Sequence, residues 1–169
     1  HLQKPASSAV DSETKRDALY ALAFIYSKKE EYLKAVGILE KLTNEIPESG
    51  DLAGKSNYLL ADIYYGIGDF NKAILYFSKV INNSQDISVL QKSHYFMSDS
   101  LFNIGKEKEA VSGFNSIRSR YPGTQIAAEA AFWLGGYYYQ NGQQGLSRRY
   151  FLSIVQDYPD SPALPEVYY

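Results

Sequence analysis

The sequence predicts an all-α protein: an array of four helical hairpins with the start of a fifth. Three observations lead there. A proline junction recurs as Ile46-Pro47-Glu48-Ser49, Tyr121-Pro122-Gly123-Thr124 and Tyr158-Pro159-Asp160-Ser161, with the last two prolines 37 residues apart and the first two 75 apart, close to two periods. Between junctions, apolar residues recur at offsets of 3, 4 and 7, the spacing of one helix face. Gly68, Gly105 and Gly142 then fall between two apolar sets, where a helix stops and turns.

Placing each proline at position 32 of its repeat starts the repeats at Arg16, Gly54, Gln91 and Ala128; the second has Gln85 where the others have proline. The first helix covers positions 1–14, with Leu22, Leu60, Met97 and Leu134 at position 7 and Tyr26, Tyr64, Leu101 and Tyr138 at position 11. Position 8 is small: Ala23, Ala61, Ser98 and Gly135. The second helix covers positions 17–29. Its stripe is Ala35, Ala73, Ala110 and Ser147 at position 20, Leu39, Phe77, Phe114 and Phe151 at position 24, and Leu42, Val80, Ile117 and Ile154 at position 27. Its other face, with Glu40, Lys41 and Asn44 or Asn115, Ser116 and Ser119, reads as solvated. Proline closes the second helix, and the Ser or Thr two residues on is placed to cap the next.

Residues 1–11 show no periodicity and read as a linker or frayed segment. The array covers 12–169, with repeats at about 12–50, 51–87, 88–124 and 125–161 and a partial fifth over 162–169. No polar closing helix follows Tyr169, so a fragment of a longer array is expected, with an apolar end prone to pack on a second copy.

The pattern resembles the tetratricopeptide repeat (TPR), most clearly in Leu134-Gly135-x-x-Tyr138, Gly142, Phe151 and Pro159. The resemblance implies a right-handed superhelical solenoid of four TPR hairpins plus the first helix of a fifth. Asn57, His94 and Ala131 depart from it at the usual tryptophan column, as do Ser147 and Gln85. The longer period and the Tyr-Pro-x-Ser/Thr-x-x-Ala-x-x-Ala junction are similar to TPR domains of the bacterial envelope, those of the Tol-Pal-associated periplasmic protein and the outer-membrane barrel-assembly lipoprotein. That narrower likeness implies a periplasmic or outer-membrane-associated location, with the cytoplasm as the alternative.

The family also implies that positions 2, 5, 9 and 12 of the first helix face a concave groove. Position 5 is Tyr20, Tyr58, Tyr95, Phe132 and, in the partial repeat, Tyr169; position 12 is Ser27, Tyr65, Phe102 and Tyr139; position 9 holds Asp62 and Asp99. The expected partner-binding set is therefore Tyr58, Asp62, Tyr65, Tyr95, Asp99, Phe102, Phe132 and Tyr139. Tyrosine suits a surface that is wet alone and dry when bound. The competing reading is that the same rings only pack helix on helix. Position 6 is apolar as well: Ala21, Leu59, Phe96 and Trp133.

Chemistry is poorly represented. There are 17 Lys and Arg against 19 Asp and Glu, so no basic excess invites nucleic acid, and no apolar run has the length of a membrane span. With no cysteine and two histidines, no thiolate or histidine metal set is available, and no cofactor is expected. Gly50-Asp51-Leu52-Ala53-Gly54-Lys55-Ser56 resembles a phosphate loop but is one residue short between its glycines and follows no strand. His94 reads as a hydrogen-bonded packing residue. The family's carboxylate clamp for chaperone tails is missing: Tyr20, Phe24, Leu59 and Phe96 occupy four of its positions, and only Lys92 fits. The expectation is a non-enzymatic scaffold that binds a peptide or helical segment of a protein partner, in envelope assembly if the narrower likeness holds. The alternatives are glycan or polysaccharide binding on the same rings, or a spacer that self-associates through its array ends.

Overall fold

The computed structural model describes the backbone of residues 4–48 and 50–157, with side chains from residue 12 onward. Eight helices make up the described residues: α1 (Lys4–Lys28), α2 (Tyr32–Glu45), α3 (Asp51–Gly66), α4 (Phe70–Asn83), α5 (Ile87–Asn103), α6 (Glu107–Arg120), α7 (Gln125–Gln140) and α8 (Gln144–Asp157). The chain divides into two compact units, residues 1–86 and 87–169. In the first, α1 pairs with α2 and α3 with α4, and α3 also packs on α1 and α2. The second repeats the scheme: α5 with α6, α7 with α8, and α7 against both α5 and α6.

Residues 4–11, expected to be a linker or frayed segment, lie in the first turns of α1. Helix-compatible residues such as Ala6 and Ala9 allow the first helix to run on upstream of its apolar stripe. α3, α5 and α7 likewise begin three or four residues ahead of position 1. The expected helix over 162–169, with Tyr169, lies outside the described residues, as do Ser49 and the Tyr158-Pro159-Asp160-Ser161 junction.

The core follows the repeat columns. Positions 8, 20 and 27 are buried in all four hairpins: Ala23, Ala61, Ser98 and Gly135; Ala35, Ala73, Ala110 and Ser147; Leu42, Val80, Ile117 and Ile154. The small residue at position 8 of the first helix lets the second helix of the hairpin approach closely at positions 23 and 24. Two such approaches lie in the second unit. A Cβ added to Gly113 would lie 2.2 Å from Ser98 Oγ, and one on Gly135 would lie 2.6 Å from the Phe151 ring. Leu22, expected in the core, is exposed in α1.

Each hairpin turns through one residue with positive φ at position 15: Gly68 (80°), Gly105 (80°), Gly142 (72°) and, in the first repeat, Glu30 (61°). Capping is less regular. Asp69 caps α4 by accepting a hydrogen bond from Lys72 N at 3.2 Å. Thr124 occupies the N-cap of α7, but its hydroxyl makes no cap bond; it donates back to the Tyr121 carbonyl at 2.6 Å.

The polar face of the second helices is not wholly solvated. In the first unit the Tyr64 and Tyr76 rings stack nearly parallel at 5.6 Å, and both hydroxyls donate to Glu40 Oε1, at 2.9 and 3.4 Å. The Lys72 ammonium lies 4.7 Å from the Tyr64 centroid. In the second unit Tyr138 stacks on Tyr150 at 5.5 Å, the Tyr150 hydroxyl donates to Asn115 Oδ1 at 2.9 Å, and the Arg118 guanidinium lies 4.9 Å from the Tyr150 centroid. Glu40 and Asn115 share one repeat position, so a tyrosine pair ties the second hairpin to α2 and another ties the fourth to α6. Burial, with Glu40 beside them, pushes the Tyr64 and Tyr76 phenols up to about 12, so both remain hydrogen-bond donors.

Candidate binding site: an aromatic pit between α5 and α7

The position-5 rings take part in packing within their own hairpins. Tyr58 meets Phe77 edge-on at 6.2 Å, Tyr95 meets Phe114 at 5.2 Å, and Phe132 meets Phe151 at 5.6 Å. In each case the partner is the position-24 ring of the same hairpin, so much of every position-5 ring packs helix on helix. All three are half-buried. Burial, with Asp62 nearby, pushes the Tyr58 phenol up to about 12; burial, with Glu129 and Asp99 nearby, does the same at Tyr95.

Within the second unit, neighbouring first helices leave a pit of about 360 Å³ between them. α5 contributes Tyr95 and Phe102; α7 contributes Phe132, Trp133, Gly136, Tyr137 and Gln140. The lining rings Trp133 and Tyr137 belong to a stack that continues into the core: Phe114 lies 4.0 Å from Trp133, and Trp133 lies 5.5 Å from Tyr137 with the two rings 7° from parallel. Phe102 stands edge-on to Trp133 at 5.2 Å and to Tyr137 at 6.2 Å. A Cβ on Gly136 would meet nothing within 4 Å, so the missing side chain opens the pit. The Tyr137 hydroxyl donates to Glu107 Oε2 at 3.1 Å.

Two carboxylates belong to the same helix faces. Asp99 lies between Tyr95 and Phe102 on α5 and accepts from Asn103 Nδ2 at 3.0 Å. Glu129 lies one turn before Phe132 and Trp133 on α7 and accepts from Gln125 Nε2 at 2.9 Å. Both are half-buried, and no lysine or arginine is among the residues lining the pit.

Of the eight residues picked out by sequence, the pit brings together Tyr95, Phe102 and Phe132, with Asp99 between Tyr95 and Phe102 along α5 but not among the lining residues. Tyr139 is elsewhere. At 100° per residue it points about 90° away from the centre of the α7 stripe running from Phe132 to Gln140. It is 66% exposed and borders a separate hollow of about 600 Å³ with Phe151, Leu152 and Val155 of α8. Tyr58, Asp62 and Tyr65 lie in the first unit, one face of α3, where Tyr65 packs edge-on against Phe70 at 5.7 Å. Gly136 occupies groove-facing position 9 without having been picked out as a binding residue, and Trp133, Tyr137 and Gln140 were not anticipated. The available signal was position 6, which grows from Ala21 through Leu59 and Phe96 to Trp133 on helices already apolar at position 5.

The other motifs resolve structurally. Gly50 precedes α3, Lys55 pairs with Asp51 at 2.6 Å, and Ser56 is buried, so the phosphate-loop lookalike is an ordinary helix start. His94 packs its ring 6.0 Å from Tyr121, but its buried Nε2 has no hydrogen-bond partner, contrary to the expected bonded residue. Among the described residues, no helix is long and apolar enough to cross a membrane.

Family models described as tetratricopeptide repeat match residues 17–49, 54–86 and 129–161. No curated protein matches the chain. Among solved structures, MamA is similar with a TM-score of 0.70 at 17% identity, over 89% of this chain and 83% of that one. YrrB, a TPR protein with an unusual peptide-binding site, is similar with a TM-score of 0.67 at 21% identity, over 86% of this chain and 70% of that one.

Proposed function

The chain belongs to the tetratricopeptide-repeat family, and from that premise we propose that it is a non-enzymatic interaction scaffold whose working surface is the aromatic pit between α5 and α7, with a peptide segment of a partner protein as its ligand. The observation that carries this is a pit walled by Tyr95, Phe102, Trp133 and Tyr137 and held open by Gly136. A crevice with rigid aromatic walls and a few polar tips is the usual form of an anchor pocket in protein recognition. The peptide-binding site of YrrB, a protein of similar fold, supports a peptide as the ligand class. Trp133 is already stacked with both Phe114 and Tyr137, which favours an inserted side chain over a sugar stacked flat on it. The bacterial-envelope setting is part of this proposal; its support is the Tyr121-Pro122-Gly123-Thr124 junction, and fractionation of source cells tests it.

The pit is tested by filling it. Leucine at Gly136 enters open space and replaces a poor helix residue with a good one, so Gly136→Leu is expected to leave the fold intact and raise stability by about 0.5–1 kcal/mol. A photo-crosslinker at Gln140 should capture a partner with Gly136 intact and lose it with Gly136→Leu. Equal capture in both backgrounds would move binding away from the pit. The Tyr95→Ala alternative is less clean, because it also removes the ring packed on Phe114.

A further inference from the structure

The charges around the pit say what kind of side chain enters it. Asp99 continues the α5 face of Tyr95 and Phe102; Glu129 continues the α7 face of Trp133 and Tyr137. Glu107 stands beyond, engaged by the Tyr137 hydroxyl at 3.1 Å. The nearby charged groups are therefore acceptors set at the edge of an aromatic surface. An aliphatic anchor would desolvate two half-buried carboxylates with nothing in return. An anionic ligand would be repelled. A cation with an apolar or planar body satisfies both halves of the surface: its charge faces the ring quadrupoles and the carboxylates, and its body displaces water.

We infer that the pit takes the side chain of an arginine carried by an extended segment of a partner protein, its guanidinium against Tyr137, the last ring of the Phe114–Trp133–Tyr137 stack, and its N–H groups directed to Asp99 and Glu129. This deepens the interaction-scaffold reading and rests on it. Arginine fits better than lysine because a planar guanidinium stacks on rings, is weakly hydrated and offers five donors, where an ammonium is a compact, strongly hydrated point charge. At about 360 Å³ the pit has room for one long side chain with its flanking backbone at the mouth. The phenols near Asp99 and Glu129 stay protonated, since burial and those carboxylates push Tyr95 up to about 12, so the tyrosine adds no competing charge.

The test uses the one tryptophan of the chain, Trp133, which lines the pit and reports on it by fluorescence. Capped nonapeptides of glycine and serine with a central arginine, citrulline, lysine or leucine are titrated into the full chain. Citrulline keeps the shape of arginine and removes its charge. The arginine peptide should shift Trp133 emission saturably and bind at least about ten-fold more tightly than the citrulline peptide, with lysine between them. The Asp99→Asn/Glu129→Gln double variant, checked for unchanged helicity, should weaken the arginine peptide about ten-fold and leave the citrulline peptide within about two-fold. Equal binding of arginine, citrulline and leucine would overturn the cation assignment while leaving the pit as a peptide site. No response of Trp133 to any member at millimolar concentration would also overturn it, and the Gln140 crosslinking then judges the scaffold reading separately.

Discussion

Glu30 is a single residue that works against its own backbone. The other three hairpins turn through glycine at the equivalent position, whereas here a side chain sits at φ 61°. A Cβ in the left-handed region crowds the following carbonyl, so Glu30→Gly is expected to raise stability by about 0.5–1 kcal/mol, read as a higher denaturant midpoint at unchanged slope. His94 is a second such residue. Burial, with Arg120 nearby, holds its imidazole below the ordinary histidine range. Below pH 6.5 the unfolded chain therefore binds a proton that the folded chain resists. The stability contribution is full above the unfolded value and is lost as pH falls from there toward the depressed folded value. His94→Gln should flatten the pH dependence of the thermal midpoint between pH 5 and 7; an unchanged slope would show that other groups carry it.

For the elements, the hairpin is the unit of stability, and its second helix buries a small residue at position 20. Ala73 and Ala110 are fully buried there. Ala73→Leu or Ala110→Leu should overpack the hairpin and cost about 1–3 kcal/mol, measurable by chemical denaturation; no loss in either would contradict tight packing at position 20. The tyrosine pairs act between elements, not within them. Tyr64 and Tyr76 belong to one hairpin and Glu40 to the helix before it. The repeat register made Tyr64 legible as a core residue. It could not reveal that Glu40 is its acceptor, because a charged residue on the outer face of an amphipathic helix has the same sequence signature whether it meets water or a neighbour's hydroxyl.

At the scale of the molecule, a repeat protein has no single core, and stability is a sum of hairpins and their nearest neighbours. Damage in one unit should therefore be felt locally. A Cβ at Gly135 would lie 2.6 Å from the Phe151 ring, itself packed on Phe132, Ala128, Ala131 and Ile154. Gly135→Ala should cost about 1–3 kcal/mol, and the loss should be uneven. The denaturation midpoint seen through Trp133, in the second unit, should fall further than the midpoint seen by far-ultraviolet circular dichroism, which averages over both units. Coincident shifts would mean that the two units unfold as one.

The sequence by itself determined the hairpins. A 37-residue period, helical offsets and a glycine at three of the four turns identify which residues are helical and which columns are buried, because those properties repeat within each element and need no knowledge of what lies alongside. It also identified Tyr95, Phe102 and Phe132 as rings near a surface. Only the tertiary structure decided that they share a pit with Trp133, Gly136, Tyr137 and Gln140, and that Tyr139 does not. The pit lies between two neighbouring helices, so α5 lines it with positions 5 and 12 while α7 lines it with positions 5, 6, 9, 10 and 13. A single column of the repeat reads the same face of every helix, whereas a crevice is made of two different faces, and which faces meet is settled by how one hairpin packs on the next.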